Sequence, residues 1–477
     1  MKTKILQLAA FLFTSLLFAQ AGHIMQGVGA SNMSMGGAAT AQPIDISGAL
    51  YWNPAAISVF NEKELKLDVG LFFSSPELSS SLPENMLFPG SPAVYGTTED
   101  DRGTSVMPNL AFVWGKEGSK HTFGASAFGI SGFGVTFPQE SNLPMDMNGN
   151  PNPNWDPNNS NPVNWPQNMM GFGHIESDYM LLQVGLTYAY QISDKFSIGI
   201  QPNANYASLE LAPSPLSAPD FTPPAGAPTD RGYPTTDKAS ALGFGAQFGL
   251  FYDSGFGLKL GASYKTNQTF QEFEFKNTYL DGSEAPDVKF QMDYPAILSL
   301  GLGYSTSAFD FALDFRRVDY DNTEGFEKSG WAIADSGPFA GFPTGAVNGF
   351  GWKDISILSL GLQLKLIDKL PLRFGYTYSS NPIPEETTFF SIPATAIIKD
   401  AYQFGLSYEI NNNWKVDGLF HYGASNGSTS GQILNPNNIS PSNPYGAIPG
   451  SSVSYKMTTS MVMVGVSYKF TKASNDE

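Results

Sequence analysis

The sequence predicts an all-β protein, a transmembrane antiparallel β-barrel of about fourteen strands. Three observations lead there. From about residue 63 onward, apolar and polar residues alternate with a period of two in one short segment after another. The chain opens with an export signal, and no later segment is long and apolar enough to read as a membrane helix. The links between strands alternate between tight turns and long loops rich in Pro, Asn and Ser, as outer-membrane barrels require.

In chain order, residues 1–21, "MKTKILQLAAFLFTSLLFAQA", place two lysines before an apolar run that ends in small residues. This is a secretory signal peptide, too short in its apolar part for a spanning helix. Residues 22–62 follow, and within them "ALYWNPAAISVF" is apolar enough to be buried but is broken by Pro54, which keeps the segment out of the interior of a sheet. Residues 63–470 carry the strands, expected near 64–75, 106–115, 121–137, 178–191, 196–211, 239–253, 257–275, 293–305, 308–323, 353–366, 370–380, 398–410, 414–425 and 455–470. In "LKLDVGLF", Leu65, Leu67, Val69 and Leu71 share one face, and Lys66, Asp68 and Gly70 the other. "FDFALDFRR" and "LPLRFGYTYS" repeat the pattern, with Arg316 and Arg373 on their polar faces. A soluble β-sandwich also alternates, but a second face built of Gly, Ser, Thr, Gln and charge suits a wet or filled lumen.

Within "FGASAFGISGFGVTF", the third strand, alternation fails where Gly129, Gly132 and Gly134 interrupt it, the mark of a bulge or bend. The last strand, "MVMVGVSYKF", ends on Phe470, a terminus fit for barrel-assembly machinery, and 471–477 reads as a polar periplasmic tail. The tight turns belong to the periplasmic rim and the long loops to the outer one.

Composition narrows the function. Only 14% of the 477 residues are charged and 13% are aromatic, with 49 glycines, no cysteine and a formal charge of −17. An exported chain without cysteine has neither disulfides nor thiolate metal sites, and its negative charge repels nucleic acid. Four histidines and no nucleophile elbow give no enzyme; His421, beside Lys415 and Asp417, is the nearest approach to a catalytic constellation. The loop "DMNGNPNPNWDPNNSN" spaces Asp146, Asn148, Asn150, Asn152, Asn154 and Asp156 like calcium ligands but lacks the bidentate Glu and is broken by prolines. It reads as a solvated loop; neither a metal nor a cofactor is expected.

The segment "GHIMQGVGASNMSMGGAATAQPIDISGALYWNPAAIS", the stretch "YPAILSLGLGYSTSAFDFALDFRRVDY" and the pair "LRFGYTYSSNPIPEETTFF" and "DAYQFGLSYEI" together resemble the FadL family of outer-membrane long-chain fatty acid transporters, over nearly the whole mature chain. The resemblance implies a multi-pass outer-membrane barrel of fourteen strands, plugged by an N-terminal hatch, residues 22–62, in which Trp52, Asn53, Pro54, Ala55 and Ile57 line a pocket. It implies passive passage of hydrophobic molecules, long-chain fatty acids in particular, with a lateral exit into the membrane at the kinked third strand, here Gly129, Gly132 and Gly134. Arg316 and Arg373 are the candidates for holding a ligand carboxylate, because their forks bind both oxygens. The expected partners are the ligand, outer-membrane lipids and the assembly machinery, for a monomeric barrel. The alternative is a FadL-like barrel that serves secretion or assembly (PorV-like) through its long loops, 138–177 among them.

Overall fold

The computed structural model describes residues 23–146, 149–222 and 231–470; the expected signal peptide and tail lie outside them. Fourteen antiparallel strands close into a barrel: β1 Lys63–Leu82, β2 Ser105–Trp114, β3 His121–Phe137, β4 Ile175–Ser193, β5 Phe196–Ala212, β6 Ala239–Asp253, β7 Leu258–Lys265, β8 Ala296–Ser305, β9 Phe309–Asp319, β10 Ile355–Leu364, β11 Leu372–Ser379, β12 Asp400–Glu409, β13 Trp414–Ala424 and β14 Ser452–Lys469. Closure is made by β1 against β14, in register from Glu64↔Lys469 to Ser81↔Ser452.

Burial inverts the soluble pattern. On β1, Leu67 and Val69 are 51% and 44% exposed while Lys66 and Asp68 are 0% exposed. Apolar side chains pointing outward on a closed barrel need lipid around them, and charges buried inside need partners, which the lumen supplies. The connections between β2 and β3, β4 and β5, β6 and β7, β8 and β9, β10 and β11, and β12 and β13 are short and share a rim with both ends of the sheet; the other rim carries the long loops.

Two strands differ most from expectation. β1 runs on past residue 75 to Leu82 because its outer end pairs with Val94–Glu99, and the Asn/Pro-rich loop folds back onto that hairpin, Asn161 Nδ2 donating to Leu78 O at 2.9 Å and to Thr98 Oγ1 at 2.8 Å. β7 stops at Lys265 rather than near 275, and the alternating residues beyond it form an outer-loop hairpin, Phe273–Thr278 with Glu284–Phe290. Alternation reports a pleat, not a membrane crossing, so the loop hairpin extended the pattern.

Inside the barrel, residues from His23 to Phe60 form the hatch: helix α1 Ala30–Met33, helix α2 Ile46–Trp52 and a 3₁₀ turn Pro54–Val59. Asp45 caps α2 by accepting from Gly48 N at 3.1 Å. Asn53 ends it, accepting from Ala55 N at 3.0 Å and donating to Thr40 O at 2.8 Å and to Leu250 O of β6 at 2.9 Å. Lumenal glycines seat this backbone: a Cβ at Gly199 would collide with Ala55, at Gly249 with Asn53, at Gly361 with Met35 O, and at Gly375 with Gly36.

Candidate ligand path

On the outer rim, the loops form an apolar pocket whose walls include Phe172, Tyr233, Trp331, Phe389 and Phe390. Tyr233 donates its hydroxyl to Gly345 O at 2.8 Å, and burial pushes its phenol above the usual range, so it lines the pocket as a neutral group. A second, smaller pocket shares Pro215, Val347, Phe390 and Pro393 with the first and reaches Phe350.

From Phe350 the aromatic wall continues inward. Its ring stacks on Phe326 with centroids 5.5 Å apart, and Phe326 stacks on the His23 imidazole at 4.9 Å. Trp352, Tyr320, Tyr294, Tyr179 and Phe133 complete a cage around His23, whose Nδ1 meets the Tyr320 hydroxyl at 2.7 Å. No local pattern in the sequence announces this cage, because its members come from the hatch, four strands or strand ends, and an outer loop.

Below the cage lies the hatch sequence around Trp52. The Tyr51 and Trp52 rings pack at 4.3 Å, with Lys265 Nζ 4.3 Å from the centre of the Tyr51 ring and the Arg316 guanidinium 3.6 Å from that of Trp52. The two cations differ in what they hold. Arg316 pairs with Asp314 at 2.6 Å and donates to Gly37 O at 2.8 Å, while its Nε and Trp52 Nε1 are buried with no hydrogen-bond partner among the described residues. Lys265, fully buried, donates to Gln183 Oε1 at 3.1 Å and makes no ion pair among the described residues. Arg373 lies elsewhere, its fork taken by Gln363 Oε1 at 2.6 Å and Ser407 Oγ at 2.7 Å, so the two arginines named from sequence do not share a site.

The third strand has a break in its pairing. β3 pairs with β2 only from Trp114↔Phe123 to Asn109↔Phe128, so Gly129–Phe137 has no β2 partner while Ser105–Pro108 of β2 still pairs with β1. Its register against β4 shifts between Gly129 and Ser131. The hatch's first residues take the free edge: Met25 N donates to Ile130 O at 3.0 Å and Gly132 N to His23 O at 3.2 Å. The three glycines have different neighbours. A Cβ at Gly129 would meet only Met107 Cε, at 3.9 Å; at Gly132 it would touch Tyr179 O, at 3.0 Å; at Gly134 it would collide with Arg102, which spans to Asp178 at 2.6 Å.

Of the six Asn and Asp residues spaced like calcium ligands, Asn148 lies outside the described residues. Asp146 accepts from Asn150 N at 2.8 Å and from Asn150 Nδ2 at 2.9 Å, and among the described residues there is no cluster of His, Asp and Glu able to hold a metal ion.

The sequence model of the outer membrane protein transport protein family (OMPP1/FadL/TodX) matches residues 164–471. The chain belongs to that family. Members of the OMPP1/FadL/TodX family are outer-membrane proteins and passive transporters rather than enzymes. Solved structures agree in fold: TodX, the toluene transporter of Pseudomonas putida (TM-score 0.62, 17% identity, 94% of this chain and 100% of that one), a FadL homologue of Pseudomonas aeruginosa (0.66, 13%, 94% and 100%) and TbuX, the toluene transporter of Ralstonia pickettii (0.59, 18%, 94% and 99%). Among curated proteins, none matches the chain. As a member of the OMPP1/FadL/TodX family the chain is an outer-membrane barrel for hydrophobic compounds.

Proposed function

We propose that the protein carries long-chain fatty acids passively from the outer pocket, past the aromatic cage, to a lateral exit at the break beside Gly129. The observation that supports this reading is the continuity of the apolar lining: two apolar pockets that share residues, a cluster of rings packed around His23, and a strand break that Phe133 of the cluster adjoins. Phe133 stacks on Tyr179 at 4.8 Å and follows directly on Gly132. Gradual transfer between apolar walls needs no energy source.

Lys265 supports a carboxylate-bearing ligand over a bare hydrocarbon. A buried ammonium without a carboxylate partner is costly, and a fatty acid head group would supply the missing charge, with Trp52 Nε1 and Arg316 Nε as further donors. TodX and TbuX are toluene transporters; toluene would use the same apolar walls and leave Lys265 without a function.

The test is binding of oleate and of toluene to the purified barrel, wild type against Lys265→Met. Loss of a charge-assisted hydrogen bond is worth about 1.5–3 kcal/mol, so oleate affinity should fall roughly ten- to hundred-fold while toluene affinity holds. Equal loss for both ligands, or none for oleate, contradicts the carboxylate assignment. Secretion components copurifying in stoichiometric amount, with no lipid retained, contradict the transport reading itself.

A further inference from the structure

The hatch meets the barrel wall in two chemically different ways. Toward β3, β5 and β6 the contact is close and largely apolar: Leu50 and Ile57 lie against Gly124, Ala55 against Gly199, and Pro54 with Asn53 against Gly249. Toward β1 and β9–β13, at the periplasmic end, the wall carries a seam of charges that meets the hatch where Lys66 reaches Asp45 and Ser31. Lys365, part-exposed at the rim, pairs with Asp310 at 3.0 Å; Gln363 donates to Asp310 at 2.6 Å and accepts from Arg373 Nε at 2.6 Å; Arg373 donates to Ser407 at 2.7 Å; and Ser407 donates to Asp417. Asp417 pairs with Lys66 at 2.8 Å, and Lys66 with Asp45 of the hatch at 2.8 Å. The contacts form one unbroken chain from the periplasmic rim to the cap of α2.

Above Lys66 the polar lining continues. Ser31 accepts from Lys66 Nζ at 3.1 Å, Asp68 accepts from Ala30 N at 2.9 Å, and higher still Gln403 meets Gln26 at 3.1 Å and His421 Nδ1 at 3.3 Å. On this side the hatch is held by mutually neutralised buried charges, flanked by two small apolar clusters, Met25, Ala30 and Met33 with Leu419, Met461 and Met463, and Met35 and Ala38 with Ala312. A buried charge that loses its partner draws in water and counter-ions. Lys365, on the seam itself, already touches the solvent from which they would come.

We infer that this seam is a latched polar passage: a route for water and small ions between hatch and wall, held shut by the Lys66–Asp45–Asp417 cluster and independent of the hydrophobic path. The sign of the charge left behind sets what passes. Lys66→Met leaves Asp45, Asp68 and Asp417 without their common cation and makes the passage select cations. Asp417→Asn leaves Lys66, Lys415 and Arg373 in excess and makes it select anions.

The experiment is conductance of the full barrel in planar bilayers under a tenfold KCl gradient, with heat-dependent gel mobility as the check on folding. The wild type should stay near baseline, each variant should conduct at least several-fold more, and the two reversal potentials should have opposite signs. If either variant does not fold, Lys415→Gln and Asp310→Asn, toward the rim of the same seam, give the same paired readout. Tight barrels throughout, or leaks of one selectivity in both members of a pair, overturn the inference. Oleate transport is a separate measurement, so either conclusion can fail alone.

Discussion

At the scale of single residues, the polar faces of the strands were legible as lumenal, since a period of two leaves no other place for Lys66, Arg316 or Arg373 on a lipid-facing barrel. What was not legible is which cation is paired. Lys66 has Asp45 and Asp417, and Arg316 has Asp314, whose other contacts are Ala39 N and Thr40 N of the hatch, each at 2.9 Å. The partners of Lys66 lie 21 and 351 residues away and no local spacing encodes them, whereas Asp314 stands two residues from Arg316 on the same strand face. Asp314 therefore holds the hatch to β9 through two backbone donors and the Thr40 hydroxyl, at 2.8 Å. Replacing it by alanine strands those donors and leaves Arg316 unpaired, a loss of about 3–5 kcal/mol by analogy with broken buried pairs. The expected outcome is a barrel that still inserts but whose hatch residues exchange their amide hydrogens faster than wild type; unchanged protection at Ala39 and Thr40 would show that Asp314 does not fasten the hatch.

At the scale of elements, strand number and order were readable because each lipid-facing row is almost uniformly apolar. The end of β7 was not, because the outer-loop hairpin beyond it alternates as a membrane strand does. The irregularity of β3 was readable from its glycines, whereas their separate roles emerge only from the fold: Gly134 makes room for Arg102, Gly132 lies against Tyr179, and Gly129 alone borders open space beside Met107. Gly129 is thus the position at which to test the exit. Gly129→Phe should fill the break between β2 and β3, leaving oleate binding within about twofold of wild type while transport falls at least tenfold. Gly418→Phe, on the lipid side of β13 where an added Cβ meets nothing within 4 Å, is the control that should change neither. Gly361 and Gly375 cannot serve as controls, since both seat the hatch backbone and a Cβ at either would collide with it. Equal transport by Gly129→Phe and wild type would remove the lateral exit from the account.

At the scale of the whole molecule, a closed barrel supplies the only lipid-stable shell for so polar an interior, and the hatch divides that interior into an apolar outer route and a charged periplasmic seal. The barrel was legible in the sequence because lipid acts on every strand alike; the route was not, because it is assembled from loops, strand ends and the hatch, joined only by folding. On the proposed function, hydrophobic molecules cross the outer membrane through this chain without an energy source. Initial uptake of labelled oleate, measured in cells with and without the protein and with the proton gradient collapsed, tests it most directly. Uptake should depend on the protein, saturate with oleate, and keep its initial rate when the gradient is collapsed. Uptake unchanged by deleting the protein would contradict the proposed function.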